Sequence, residues 1–284
     1  MNTAVTVFFL IIKVFSLYFL AVSLFGLCRR RTPEPAARLR RFAVLIAARN
    51  EESCIAGLIE SLRAQHYPPE LVDIWVLPNN CTDRTAEAAR RAGAQVLEMP
   101  ASVRSKGAAL HTAAKALLRS TRNYDAFCVF DADNEADPAF LSEMNRALDR
   151  TAIVKSRILA KNRTQAGISA CYEIYFCSAN HFLNRAREAV GLSARVIGTG
   201  FAIRRDLLEA LDGFPCRTLT EDAELYAACL CRGARIGYCE TAVTYDEEPV
   251  TWRASLVQRR RWMSGILQVA RLTLPELLAN FLRQ

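Results

Sequence analysis

Residues 127–133, with the sequence Phe-Cys-Val-Phe-Asp-Ala-Asp, are the stretch from which the rest of this chain can be interpreted. An apolar run bounded by polar residues is typical of a strand buried on both faces of a parallel sheet. Ligands of open α/β sheets collect at the carboxyl ends of such strands. Asp131 and Asp133 would repel each other there unless a cation lay among them, and a hard divalent cation carrying phosphates suits oxygen ligands. A solvated acidic turn is the alternative, and Asp137 before Pro138 predicts the cap of the next helix.

Composition limits the class of protein. The chain has 284 residues, enough for one large α/β domain or two small ones, and its net charge of +8 is concentrated in two arginine clusters. The clusters comprise Arg29, Arg30, Arg31, Arg38, Arg40 and Arg41, and then Arg259, Arg260 and Arg261. Because they flank apolar segments and no nucleic-acid-binding motif is visible, they favour anionic lipid or phosphate over nucleic acid as the partner. Ten scattered cysteines without a C-x-x-C pair favour a reducing compartment.

The N-terminus predicts a membrane anchor. The segment Val5–Leu27 is apolar except for Lys13 and is long enough to cross a bilayer. Basic residues follow the apolar run instead of preceding it, which is unlike a signal peptide. We therefore expect a transmembrane anchor at residues 1–28, a basic linker at 29–41, and a single-pass protein of the inner membrane whose remainder is cytoplasmic.

Strand and helix patterns alternate after the linker. Strands are expected at Phe42–Ala47, Val72–Leu77 and Gln95–Met99, before the strand at 127–133, and helical patterns separate them. This alternation predicts βα units and a mostly parallel sheet, an α/β fold with a catalytic domain at residues 42–250.

The C-terminal part, residues 251–284, has a different pattern. It predicts an amphipathic, basic helix from Trp252 to about Leu274, lying at the membrane interface, with a break or kink at Pro275.

Several motifs follow one another in a fixed order along the chain. They are Ala47-Ala48-Arg49-Asn50-Glu51, Asn80-Cys81-Thr82-Asp83-Arg84-Thr85, Lys106-Gly107, Asp131-Ala132-Asp133, Gly198-Thr199-Gly200, Thr220-Glu221-Asp222 and Gln258-Arg259-Arg260-Arg261-Trp262. Together they resemble a membrane-associated family 2 glycosyltransferase, over about residues 40 to 265. D-x-D or T-E-D alone is weak, whereas Q-x-x-R-W after both is specific. The resemblance implies the GT-A fold, a Rossmann-like mixed sheet flanked by helices.

The resemblance also implies a donor site. Ala47, Arg49 and Glu51 match the loop that lines the nucleotide pocket, Lys106 matches a lysine near the phosphates, and Asn79 stands where the family usually has an aspartate that reads the base. In the D-x-D motif Asp133 matches the metal ligand, Asp131 lies near the ribose and the metal, and Ala132 lies between them. The implied cofactor is Mg²⁺ or Mn²⁺. Taken alone, Lys106 could instead be a surface lysine at a helix start.

For the acceptor side, the resemblance implies that Asp222 is the general base, with Glu221 as its nearest rival. Gly200, Gln258, Arg261 and Trp262 match residues near the diphosphate and acceptor. Gln258, Arg261 and Trp262 are spaced i, i+3 and i+4, so they share one helix face. The alternatives are acids that complement a helix dipole, a solvated or lipid-facing arginine run, a core tryptophan and plain turn glycines.

The expected function is therefore an inverting, metal-dependent transfer of a sugar. The donor would be a nucleotide-diphosphate sugar, with a UDP-sugar favoured, and the acceptor a lipid-linked or polysaccharide hydroxyl. A nucleotidyltransferase and an inactive membrane scaffold of the same fold are the rivals. The processive relatives carry further transmembrane helices, so three alternatives stay open: single transfer, a truncated chain, or a channel-forming partner subunit.

Overall fold

The computed structural model describes residues 3–28 and 35–283. Arg29, Arg30, Arg31 and Pro33 of the expected basic linker lie outside the described residues. Within the described part, eight strands form one sheet. Their bounds are β1 Phe42–Ala48, β2 Val72–Pro78, β3 Gln95–Val96, β4 Ala126–Asp131, β5 Glu135–Ala136, β6 Ile153–Ala160, β7 Phe201–Arg204 and β8 Ile236–Asp246.

The sheet is mixed, with the strand order β3-β2-β1-β4-β7-β6-β8-β5. β3, β2, β1 and β4 run parallel, whereas β7 is antiparallel to both β4 and β6. In the register of the parallel half, Ala47 of β1 pairs with Asp131 of β4 and with Leu77 of β2. The carboxyl ends of these three strands therefore meet at one edge, where the loops with the predicted donor residues begin.

Helices cover both faces of the sheet. The helices are α1 Thr3–Leu24, α2 Ile55–Arg63, α3 Thr85–Arg91, α4 Lys106–Leu118, α5 Phe140–Ala147, α6 Gly167–Ser178, α7 Ala186–Ala189, α8 Arg205–Ala210, α9 Glu221–Cys231 and α10 Trp252–Arg283. A π-helical segment, Ala179–Arg185, joins α6 to α7. Apolar side chains of α2, α3 and α5 pack on one face of the sheet, and those of α4, α8 and α9 on the other. β1 is buried along almost its whole length, as expected of a central strand between two helix layers.

Three local expectations differ from the structure. The strand expected at Gln95–Met99 forms ladder pairs with β2 only over Gln95–Val96. The Leu97 N–H still donates to the Val76 carbonyl at 3.0 Å, and the side chains of Leu97 and Met99 pack against the core on the α4 side. The helix after Asp137 begins at Phe140, and the Asp137 carboxylate accepts a hydrogen bond from the Ala139 N–H in the preceding turn, 3.0 Å away. These two residues of difference are within the usual variation of helix boundaries.

The third difference concerns Pro275, which does not end the last helix, since α10 continues through it to Arg283. A proline inside a helix leaves the carbonyl four residues earlier without its partner. That residue, Arg271, is exposed, so water can satisfy its carbonyl.

The N-terminal helix has the properties that the sequence predicts. The segment Val5–Leu27 has 23 residues and a mean hydropathy of 2.4, and its length and composition suit a membrane span. Its side chains are largely exposed, whereas Gly26 at its end is buried against His181 and Ala186. The crossing itself and its orientation stay predictions.

Candidate active site

The predicted donor residues gather at the carboxyl edge of the parallel strands. Asp131 is the last residue of β4, and Ala132 and Asp133 follow it in a turn. Lys106, the first residue of α4, places its ammonium Nζ 2.5 Å from Asp131 Oδ1 and 2.5 Å from the Gly198 carbonyl oxygen. Glu221 Oε1, in the first turn of α9, lies 3.3 Å from the same ammonium. Lys106 therefore connects the D-x-D, G-T-G and T-E-D motifs, which rules out the alternative of a solvated surface lysine.

The charge state of Lys106 follows from these contacts. Burial by itself would lower the pKa of the ammonium, but the carboxylates of Asp131 and Glu221 outweigh that effect and raise the pKa above its usual value. Lys106 is thus a fixed cation at the edge of the sheet. A fixed, partly desolvated cation is the kind of group that stabilises a developing phosphate charge.

Asp133 has a different environment. Burial, followed by the negative charge of Asp131, raises the pKa of the Asp133 carboxyl to about 6. Among the described residues Asp133 forms no ion pair, and its contact is with the Asn134 side-chain amide 3.5 Å away. A carboxylate that lies beside a second carboxylate and has no cation paired with it is suited to bind a divalent ion.

The number of carboxylates also fits such a site. Within the described ranges, no group of three or more histidine, cysteine or acidic side chains is arranged to hold a metal by itself. Mg²⁺ commonly takes only one or two protein carboxylates and completes its shell with substrate phosphates and water. Asp131 and Asp133 can supply that partial shell.

Asn134 is a residue of this site that sequence reasoning did not single out. It is almost fully buried, and its Nδ2 amide donates to Asp246 Oδ1 at the end of β8, 2.6 Å away. Its Oδ1 accepts from the Asp131 N–H at 3.2 Å and from the Thr199 hydroxyl. Asn134 therefore fixes the D-x-D turn against the G-T-G loop and β8. Its place directly after the motif is the one signal that could have identified it.

Three ionisable groups near this edge were also missed: Lys155 and Glu248 are buried, and Asp246 is half-buried. Burial lowers the pKa of Lys155 to about 7, and the Lys155 ammonium donates to the Gly200 carbonyl at 3.1 Å. Burial and the charges of neighbouring acids raise the pKa of Asp246 to about 7 and that of Glu248 to about 8. Glu248 Oε1 is buried without a hydrogen-bond partner in the described part of the chain. Nothing local in the sequence distinguishes these residues, because their burial depends on how β6 and β8 pair.

Gly200 is required by both its conformation and its surroundings. Its φ is +60°, in the left-handed region, and a Cβ there would lie 2.5 Å from Ser156 Oγ and 2.7 Å from Thr244 Oγ1. Its N–H donates to the Val129 carbonyl at 2.9 Å, which ties the G-T-G loop to β4. The loop can therefore reach the D-x-D turn only with glycine at this position.

We expect Gly200→Ala to lower the free energy of unfolding by about 2–4 kcal/mol, from strained backbone and overpacking together. Gly233→Ala is the matched control, because Gly233 has a φ of +68° but nothing within 4 Å of its Cβ position. That control should lose only about 1 kcal/mol, the backbone part. Urea unfolding of both variants measures the difference, and equal losses would contradict the packing argument.

At the start of α9 the two acids have different surroundings. Glu221 is held by Lys106, and burial raises the pKa of its carboxyl while Lys106 opposes the rise. Asp222 is half-buried and forms no ion pair with any described residue. A carboxylate that is not held in an ion pair remains free to accept a hydrogen bond from an incoming hydroxyl. The geometry thus favours Asp222 over Glu221 as a base, although the role itself is still a prediction.

Of the three side chains on the predicted Q-x-x-R-W face of α10, two contact α6 and the third is exposed. Gln258 Oε1 accepts a hydrogen bond from the buried Tyr172 hydroxyl of α6 at 2.9 Å, and Trp262 packs edge-to-face on the same ring, with centroids 6.3 Å apart. Arg261 is exposed and lines an open groove with Gln258 and Arg253. α10 packs closely against the residue before α9 at Gly265, where an added Cβ would clash with the Thr220 side chain. Trp262 therefore has a packing role, which agrees in part with the alternative of a core tryptophan.

The residues expected around the nucleotide base make internal contacts. Arg49 donates to the Asn79 carbonyl at 3.0 Å and to the Arg104 carbonyl at 2.9 Å. Asn79 is buried, and its side-chain oxygen accepts from Asn80 Nδ2 at 2.7 Å. Glu51 accepts from the Cys54 thiol at 3.1 Å, and its N–H donates to Thr85 at 2.9 Å. These contacts order the loops after β1 and β2, and the donor-binding roles of Arg49, Glu51 and Asn79 stay predictions.

Comparison with known proteins finds a family that matches most of the chain. The family described as glycosyltransferase like family 2 matches residues 40–265. A probable glycosyltransferase, YdaM, of Bacillus subtilis is 28% identical over 244 residues, which are 82% of this chain and 56% of that protein. A beta-monoglucosyldiacylglycerol synthase of Synechocystis is 27% identical over 233 residues, 78% of this chain and 47% of that one. The chain thus spans about half the length of these relatives.

Solved structures share the fold. A mannosyltransferase of Pyrobaculum calidifontis, in complex with GDP-Man and Mn²⁺, has a TM-score of 0.72 at 21% identity and covers 91% of this chain and 71% of its own. Glucosyl-3-phosphoglycerate synthase of Mycobacterium tuberculosis, in complex with Mn²⁺, UDP and phosphoglyceric acid, has a TM-score of 0.55 at 20% identity, over 81% of this chain and 78% of its own. The mixed sheet and its helices therefore have the predicted GT-A fold.

Proposed function

The chain belongs to glycosyltransferase family 2, and we propose that it moves a sugar from a nucleotide-diphosphate donor to a hydroxyl of a lipid or lipid-linked acceptor, with inversion at the anomeric carbon. The observation that carries this proposal is the ion-pair chain Asp131–Lys106–Glu221, with distances of 2.5 and 3.3 Å. It joins the predicted donor end of the site to the acid-bearing start of α9. An inactive scaffold would not require these three charged side chains to be joined.

The donor diphosphate would lie beside Lys106 and Asp133. When bound, Mg²⁺ or Mn²⁺ would supply positive charge to the diphosphate, and Asp133 and Asp131 are the residues that would hold it. Lys106 adds a fixed cation that does not depend on the ion. The neighbours solved with Mn²⁺ and GDP-Man or UDP support this choice of ligands. A UDP-sugar is our favoured donor.

The transfer needs one base. The acceptor hydroxyl oxygen attacks the anomeric carbon and forms the new glycosidic bond, while the bond from that carbon to the diphosphate oxygen breaks and the nucleoside diphosphate leaves with the electron pair. Asp222 takes the hydroxyl proton during the attack. Attack from the side opposite the leaving group inverts the anomeric carbon.

The acceptor class follows from the membrane-facing parts of the chain. α10 carries exposed apolar side chains in pairs that repeat every eleven residues: Trp252 and Leu256, Met263 and Leu267, and Leu274 and Leu278. An eleven-residue repeat keeps such a stripe nearly straight along a helix. A straight apolar stripe beside Arg253 and Arg260 suits a helix lying in the bilayer interface. The beta-monoglucosyldiacylglycerol synthases among the relatives support a lipid acceptor.

A thermal-shift panel of nucleotide sugars with Mn²⁺ or Mg²⁺ tests the function. We expect UDP-sugars with the ion to raise the Tm of the full chain, because a ligand at about 100 times its Kd stabilises the folded state by about 2.7 kcal/mol. The same sugars with EDTA should give a clearly smaller shift. GDP-mannose in parallel reports on which base is accepted.

Absence of any shift with every nucleotide sugar and both ions would contradict the proposal and favour the inactive scaffold. A shift with free nucleoside triphosphates that exceeds the shift with nucleotide sugars would favour a nucleotidyltransferase instead.

A further inference from the structure

The continuous helical stretch from α6 through the π-helical segment to α7 has an apolar stripe that no element within residues 3–28 and 35–283 covers. Ile174 is 67% exposed, Phe182 49% and Tyr175 42%, and the exposed Cys171 lies on the same side. The opposite side, with Tyr172 and Phe176, is buried against β6 and α10. Large exposed side chains grouped in this way mark an interaction surface.

The stripe begins at the base of α1. His181 of the π-helical segment touches Gly26, and a Cβ on that glycine would lie 2.6 Å from the His181 carbonyl oxygen. Arg185 donates to the Cys28 carbonyl at 3.1 Å. Because Val5–Leu27 is just long enough to cross a bilayer, a crossing α1 places Gly26, and with it the π-helical segment, at the membrane surface.

Charge at the border of the stripe points to the same environment. Arg195 donates to the Tyr175 hydroxyl at 3.2 Å. An arginine bonded to a tyrosine beside an apolar stripe is typical of helices that lie in the headgroup layer of anionic lipids.

We propose that the stripe formed by Cys171, Ile174, Tyr175 and Phe182 lies in the headgroup layer of the bilayer, as a contact separate from α1 and α10. The buried face of the same helix carries Tyr172, which bonds Gln258 of α10. Bilayer contact through α6 therefore holds α10 at the membrane surface, where a lipid acceptor would arrive. That last consequence rests on the proposed function, whereas the bilayer contact does not.

Photo-crosslinking of the full-length chain in liposomes containing anionic phospholipid tests the contact. The photoreactive residue p-benzoylphenylalanine replaces Phe182 in one variant and Tyr175 in a second. A third variant carries it at Glu98, a control whose exposed side chain lies near the far edge of the sheet beside β3. Mass spectrometry then identifies the adducts. We expect roughly tenfold more phospholipid adduct at positions 182 and 175 than at 98.

Equal lipid adduct at all three positions would overturn the inference. Adducts to a second copy of the chain at position 182, without lipid adducts, would also overturn it, because the stripe would then be a protein interface. The readout does not involve sugar transfer. Lipid adducts in a protein that binds no nucleotide sugar would therefore defeat the proposed function and leave the bilayer contact standing.

Discussion

Asp222→Asn is expected to abolish sugar transfer while leaving donor binding within a few-fold of the wild-type value. Asparagine keeps the size of the side chain but cannot take a proton from the acceptor hydroxyl. Removing a positioned general base typically costs about 10²–10⁴ in rate. Lys106 and Asp133 are unchanged in this variant, so the donor should still bind. Turnover with a radiolabelled nucleotide sugar, and UDP affinity by calorimetry, measure the two parts separately.

Glu221→Gln is the matched comparison, because it changes the adjacent acid. Glu221 is paired with Lys106 at 3.3 Å, so its loss should alter donor affinity more than the rate at saturating donor. Near-normal turnover in Asp222→Asn would remove Asp222 as the base. If Glu221→Gln instead lost all transfer with donor binding intact, the roles of the two acids would have to be exchanged.

The second large effect is expected from Asp133→Ala, which should lose ion-dependent binding of UDP. Asp133 has a raised pKa and forms no ion pair in the described part of the chain, and it belongs to the D-x-D motif. A divalent ion would supply that missing charge and link the carboxylate to the diphosphate. We expect UDP affinity in Mn²⁺ to fall by about 100-fold, which isothermal titration calorimetry can measure.

Removal of the ion provides an internal check on this variant. EDTA should reduce wild-type affinity to the level of Asp133→Ala and should leave the variant unchanged. Asp137→Ala is the control, since that carboxylate lies four residues further on and bonds only the Ala139 N–H in the described structure. Unchanged affinity in Asp133→Ala, or an equal loss in Asp137→Ala, would count against the metal site.

The parts of the fold that the sequence predicted well are those set by local pattern. The apolar runs of β1 and β4 predicted central strands correctly, because burial on both faces needs an almost uninterrupted apolar sequence. Local pattern predicted the ends of β3 and α10 less well. The ladder of β3 ends at Val96, although the Leu97 N–H still donates to the Val76 carbonyl at 3.0 Å and the Leu97 side chain packs against the core. Pro275 lies within α10, where the exposed position of Arg271 lets water satisfy the carbonyl that the proline leaves without a partner.

For the candidate site, the order of the motifs supplied the family and the expected residues, whereas the pairings came from the tertiary structure. The sequence by itself determined the α/β pattern, the apolar N-terminal helix and the position of Asp131 and Asp133 at the end of a strand. Only the tertiary structure decided that Lys106 joins Asp131 to Glu221, and that Asp222 forms no ion pair with the residues that the structure describes.

The role of Asn134 also depends on the tertiary structure, because its side chain links the D-x-D turn to Asp246 at the end of β8, 112 residues further along the chain. The physical reason is that the periodicity of a strand or helix depends on residues that are neighbours in the sequence. The partner of a charged side chain depends instead on the order of the strands in the sheet and on which loops lie at the same edge. Residue separations of this size leave no local trace in a single sequence.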